Sequence, residues 1–200
     1  MTPAECRPYV IYMSDLTEPL TDQDLPRPFT HIGESGWADR ARAILAAYEV
    51  PLPAPVPAAD IARRERELGI QFPVAYATFL SELGPADLDG FRFLSPQEAT
   101  TLQDFYLKAE LSEADRRRLA EFLSVVEYCG TDDPFVIHLP SEEVYRCGHD
   151  PLWFSCQLAS FHVLARLAFL ALPTSYYGFP GAKVEELVRR AQVALAGREL

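Results

Sequence analysis

Apolar positions between residues 37 and 50 recur at helical spacing. Trp37, Ala41, Ile44, Leu45 and Tyr48 fall on one face and predict an amphipathic helix. The helix ends at PLPAPVP (51–57), which is too proline-rich to continue it and should be stiff and extended. The main domain boundary is expected there. Next, PAADIARRERELG predicts a helix stopped by Gly69, since glycine takes the left-handed C′ conformation without steric cost. PVAYATFLSELG predicts another, with Pro73 in its first turn. Tyr76, Phe79, Leu80 and Leu83 form its apolar stripe, and Gly84 closes it.

Further along, PADLDG has turn chemistry and FRFL alternates toward a short strand. SPQE reads as a capping box, with Ser95 as N-cap, Pro96 at N1 and Glu98 at N3, and predicts a helix running to about Lys108. A second helix should start at Ser112, with Asp115 at N3, and carry Leu119, Phe122 and Leu123 inward. SVVEYCG, DPFVIHL and EEVYRCG look like three short strands separated by turns. CQLASFHVLARLAFLAL predicts an apolar helix lying on the sheet. GAKVEELVRRAQVALAG predicts an amphipathic C-terminal helix, with Val184, Leu187, Val188, Ala191 and Leu195 on one side. Residues 1–36 read mainly as an irregular arm, with YVIYM as a candidate short strand. This order of elements implies an α+β fold with a mostly antiparallel sheet packed by helices. The arm, first helix and linker make an N-terminal extension over 1–55, and residues 173–200 should pack back on the main domain.

Charge narrows the choice of partner. The 200 residues carry 29 acids against 18 bases, a formal charge of −11. Such a chain repels phosphate backbones and anionic lipid, which argues against nucleic-acid and membrane binding and favours a basic protein partner. The same acidity also aids solubility. Four cysteines, Cys6, Cys129, Cys147 and Cys156, are too few and too irregular for a disulfide framework. The first residues, MTPAECRPYVIYMSDL, place charge and proline where a signal peptide needs an apolar run. The most apolar stretch is interrupted by Arg166 and stopped by Pro173, too short to span a bilayer. A reduced, cytoplasmic protein is expected.

Cys129, His138, Cys147, His149, Cys156 and His162 are all of zinc-ligand type. There is no C-x-x-C pair, and Cys147-x-His149 is the single close couple; it would share one face of a strand. Buried cysteine acting as a small hydrophobe explains these residues better than a metal does. Cys147, His149 and Asp150 supply the types for a cysteine nucleophile, but adjacent residues on an extended chain point apart. Acids are too abundant for any carboxylate pair to stand out as glycosidase machinery, and no phosphate-binding glycine motif is present. The distribution of acids says more. Glu127, Asp132, Asp133, Glu142, Glu143 and Asp150 are opposed in their stretch by Arg146 alone. Asp87 and Asp89 belong to a second acid-rich stretch between Glu82 and Glu113. Many of these acids fall in turns, where a scaffold presents side chains to a partner.

Several motifs then occur in a familiar order. Leu68-Gly69 ends a helix, Phe72-Pro73 follows, and Tyr76, Phe79 and Leu80 continue the pattern. Leu94, Ser95, Pro96 and Glu98 come next, followed by Asp132-Asp133-Pro134-Phe135 and by Val144, Tyr145, His149 and Asp150. Over roughly residues 56–172 the chain resembles the SUKH superfamily of the Smi/Knr type. It departs from that pattern at Asp132, where glycine is usual, and at Glu82-Leu83-Gly84, where Asn-Gly is more usual. The resemblance implies a SUKH-like domain and a binding protein rather than an enzyme. Bacterial members are typically immunity proteins that neutralise toxins of interbacterial competition, and fungal relatives regulate cell-wall synthesis. The expectation is therefore a cognate toxin as partner, with no catalytic residue, metal or cofactor. The candidate contact residues are Asp132, Asp133, Glu142, Glu143, Asp150, Asp87 and Asp89. A regulatory or scaffold protein of the fungal kind is the alternative, with a small metal or cysteine enzyme behind it.

Overall fold

The computed structural model describes residues 12–13, 31–88, 90–106, 112–128, 133–149 and 152–172. Candidate residues Asp89, Asp132 and Asp150, and the C-terminal helix read over residues 181–197, lie outside them. In chain order the described elements are β1 (Tyr12–Met13), α1 (Trp37–Ala47), α2 (Ala58–Leu68), α3 (Val74–Glu82), β2 (Asp87–Leu88), β3 (Phe91–Phe93) and β4 (Thr100–Thr101). Then follow α4 (Leu102–Phe105), α5 (Glu113–Leu119), β5 (Phe122–Tyr128), β6 (Phe135–His138), β7 (Val144–His149), β8 (Leu152–Leu158) and α6 (Phe161–Ala171). The fold is α+β. Its sheet runs β1-β8-β7-β6-β5-β3-β2, with β4 also paired to β5. The β1–β8 pair is parallel and every other described pair is antiparallel.

Both faces of this sheet are covered. Alternation along the strands sends Leu123, Phe135, Ile137, Val144 and Leu158 to one face, where they join Trp37 and Leu45 of α1, Ile61 of α2, Phe79 and Leu80 of α3 and Leu164 and Leu167 of α6. Phe122, Val136, Tyr145, Cys147 and Phe154 point to the other face and pack with Leu102 of α4 and Leu119 of α5. A bulge lets β5 depart from strict alternation. Ser124 faces Val136 and Val126 faces Phe135, so Val125 is an extra residue, and both valines reach the larger core. Phe79 is the aromatic hub of that core, with ring centroids 6.1 Å from Trp37, 4.7 Å from Phe93 and 5.6 Å from Phe161. The proline-rich segment runs along α3, where the Val56 N–H donates to the Leu80 carbonyl at 2.9 Å.

Three readings of the pattern need correction. SPQE forms a single turn rather than the start of a helix. Glu98 does accept from the Ser95 N–H at 2.9 Å, but the chain then enters β4, where Thr100 pairs with Ser124. The helix begins instead at Thr101, whose hydroxyl accepts from the Asp104 N–H. Phe122 and Leu123 lie inward as expected, but on β5 and on opposite faces of the sheet, because α5 stops at Leu119. Residues 156–158 are strand, and α6 starts only after Ser160, whose hydroxyl accepts from the Val163 N–H. Among the described residues no helix is long and apolar enough to cross a membrane.

Candidate functional site

The motif residues that carry the resemblance are fastened to one another. The Tyr76 hydroxyl, fully buried on α3, donates to the Leu94 carbonyl at 2.9 Å. The Leu94 N–H donates to Val125 on β5 at 2.9 Å. Arg64 of α2 reaches the Ala99 carbonyl with both Nε and Nη2, at 3.3 and 2.9 Å. Glu98 takes the Ser95 N–H and hydroxyl at 2.9 and 2.7 Å and pairs with Arg92, which also pairs with Glu127. Partial burial pushes the Glu98 carboxyl up, but these donors hold it below the usual carboxylate range. Burial, with the Glu98 charge nearby, raises the Tyr76 phenol well above its ordinary value. Leu94–Ala99 is therefore a rivet joining α2, α3 and the sheet.

The acids divide between the two ends of the sheet. Asp87 is exposed on β2, opposite Arg92. Strand directions make β2–β3, β5–β6 and β7–β8 reverse at one end, whereas β6–β7 reverses at the other. Glu142 and Glu143, which follow Asp133 closely in sequence, therefore sit at the opposite end from it. Asp133 itself is engaged inward: its Oδ2 lies 3.4 Å from Nη2 of Arg146, a guanidinium buried on β7. Glu143 is half-buried and accepts from Tyr145 Oη and Ser141 Oγ, each at 3.0 Å. Glu142 is exposed at the hairpin tip with φ of 58°, a left-handed conformation costly for any residue but glycine, asparagine or aspartate.

That hairpin holds an arrangement the sequence reading missed. His138 Nδ1 lies 2.8 Å from Ser141 Oγ, and its Nε2 lies 3.6 Å from Glu121 on the far side. Hydroxyl, imidazole and carboxylate in this order match the members of a hydrolase triad. The surrounding hydrogen bonds give them another role. The Ser141 hydroxyl donates to Glu143, which leaves its oxygen to accept from His138 Nδ1–H. The Ser141 and Glu142 amides both donate to the His138 carbonyl, at 3.2 and 2.7 Å, so neither is available to an oxyanion. The only advance signal was a histidine three residues before a serine, across a turn. The network holds the hairpin tip and ties it to the turn that leads into β5, where the Glu121 carbonyl also accepts from the Leu139 N–H.

Cys147 is buried beneath α4 with the Tyr106 hydroxyl 3.9 Å from its sulfur. Desolvation pushes its thiol up to about 12, and the Asp133 charge adds to this against the Tyr106 contact. The sulfur is therefore a thiol at neutral pH, neither nucleophile nor ligand in form. Peptide mapping after alkylation of the native protein at pH 8 should find Cys147 unmodified, and labelling there in the folded state would contradict this burial. The unfolded thiol ionises near 9.0 and the folded one near 12, so between those values the unfolded chain binds fewer protons and stability falls as pH rises. Among the described residues no group of three His, Cys, Asp or Glu side chains is placed to hold a metal ion. The described network can present charge to a partner, but it assembles no nucleophile together with free oxyanion donors. A scan against family models finds none that matches the chain, and a search of curated proteins finds no match either.

Proposed function

We propose that this chain is a cytoplasmic immunity-type protein that binds and neutralises a cognate toxin domain through its acidic surface. The resemblance to the SUKH superfamily supplies the function class, and Glu142 is the observation that carries the contact. Its carboxylate stands exposed in a backbone state that glycine would hold more cheaply, on a tip stiffened from below by His138, Ser141, Glu143 and Tyr145. A turn that had only to connect β6 to β7 would not need an acid there. A basic cleft, such as that of an enzyme acting on a polyanion, is the complementary surface. Asp87 offers a second exposed acid at the other end of the sheet.

The test pairs the protein with the toxin domain encoded beside its gene. Co-expression should relieve toxicity, and titration should show a salt-sensitive complex. Glu142→Gly should leave stability unchanged or raise it by up to about 1 kcal/mol by releasing the left-handed strain. The same variant should weaken the complex about tenfold, roughly 1.4 kcal/mol. Wild-type protein that does not bind this neighbour, or binds it without relieving toxicity, would remove the proposal. Full affinity in Glu142→Gly would remove the hairpin tip from the interface while leaving the rest of the proposal standing.

A further inference from the structure

His138 satisfies both of its polar neighbours only when its ring is doubly protonated. An ionised Glu143 accepts and does not donate, so the single hydroxyl proton of Ser141 goes to it, at 3.0 Å. The Ser141 oxygen, 2.8 Å from Nδ1, must then be met by an Nδ1–H. In the neutral ring that leaves Nε2 bare, with its lone pair 3.6 Å from the Glu121 carboxylate. Two acceptors face each other there. A proton taken from solvent at Nε2 turns this opposition into an ion pair and leaves the Nδ1 contact in place.

The groups around the ring come from several elements. Glu121 stands on the turn into β5, and Phe122 follows it with its ring centroid 4.9 Å from the imidazole. Tyr145 comes from β7, 6.1 Å away between centroids, and its hydroxyl donates to Glu143. Glu142 and Glu143 belong to the hairpin itself. α5 ends two residues before Glu121 with Arg116, Arg117 and Arg118 in its last turn, and Arg117 is paired with Glu113 at 2.8 Å.

The geometry points to His138 as a proton-operated clamp on the hairpin tip: its imidazolium bridges Ser141 to Glu121 and fastens the turn that presents Glu142. Histidine is the side chain that changes charge between about pH 5 and 8. As a regulator of partner binding, the clamp rests on the function proposed above. It ties down the segment bearing Glu142, which lowers the cost of ordering that segment in a complex. The imidazolium also offsets one negative charge near the tip, so the gain belongs in slower dissociation rather than faster association.

The test begins with the free full-length chain, as a double-mutant cycle of His138→Asn and Glu121→Gln. Asparagine keeps an N–H donor toward Ser141 and removes the nitrogen that faces Glu121. The two side chains are 24% and 54% exposed, so the coupling at pH 5.5 should be about threefold in the unfolding equilibrium constant, the scale of a solvent-screened pair. It should vanish at pH 8, because the pair exists only with the proton bound. Exchange protection of the Ser141 and Glu142 amides, corrected for the pH dependence of the exchange chemistry, should rise from pH 8 to pH 5.5 in the wild type. In Glu121→Gln it should stay level. Coupling that is absent at pH 5.5, or equal at both pH values, overturns the clamp, and the cycle decides this whether or not the toxin domain binds. With that domain, going from pH 8 to pH 5.5 should slow dissociation about threefold more in the wild type than in Glu121→Gln. An equal pH response in the two proteins would overturn the role in binding and leave the clamp standing.

Discussion

Charge reversal at Asp133 should unfold the protein more readily than it disturbs any interface. Asp133→Lys is expected to cost about 3–5 kcal/mol, the range for breaking a buried ion pair from one side. The Asp133 carboxylate lies 3.4 Å from the buried Arg146 guanidinium, and lysine would set an ammonium beside it. For a chain of this size, a loss of about 3–5 kcal/mol corresponds to roughly 10 °C in Tm. Thermal unfolding followed by circular dichroism measures it, and a Tm within a degree or two of wild type would show that the pair contributes little. From sequence, Asp133 was a surface acid ready to meet a partner. In the structure it is engaged beneath that surface, which makes Glu142 the better probe of binding.

A similar contrast separates two glycines that look alike in sequence, since each closes a helix. Gly69 takes φ of 68° after α2, and the Ile70 N–H closes the Schellman turn on the Glu65 carbonyl at 3.1 Å. A Cβ added there meets nothing within 4 Å, so Gly69→Ala should cost only the left-handed strain, about 1 kcal/mol. Gly84 takes φ of 106°, and a Cβ there would lie 2.1 Å from the Ala54 carbonyl oxygen. Backbone must move to admit it, whether α3 or the proline-rich segment. Gly84→Ala is therefore expected to cost about 3 kcal/mol or more. Urea denaturation of the two variants side by side decides it, and equal midpoints would mean that the segment yields freely.

The helices were legible wherever a stripe and its stop signal agreed. The stripe of Trp37, Ala41, Ile44 and Leu45 is buried, as is that of Tyr76, Phe79, Leu80 and Leu83. The cap at Ser112 is as read, its hydroxyl accepting from the Asp115 N–H at 3.1 Å. Misreadings came where two signals overlapped. β8 and α6 form one nearly continuous apolar run, and a strand buried between neighbours cannot be told from a buried helix by periodicity. Ser160 was the one mark dividing them. At Ser95 the capping signal was real, with Glu98 turned back as a cap requires, yet pairing of Thr100 with Ser124 claimed the residues that a helix needed.

The acids show most clearly where the reading from sequence ends. Period and turn chemistry are local properties, so the chain by itself determined α1, α2, α3 and the start of α5, most of its strands, its α+β class and the inward faces of Phe135, Ile137 and Val144. Which acids share an end of the molecule depends on strand direction, and which acid is free to meet a partner depends on what lies beneath it. Both are set by long-range pairing. Only the tertiary structure could place Asp133 over the Arg146 guanidinium and send Glu142 to the far end of the sheet, though only eight residues of chain separate them. The His138–Ser141–Glu143 network is local in sequence, but its link to Glu121 exists because β5 and β6 pair Phe122 with His138.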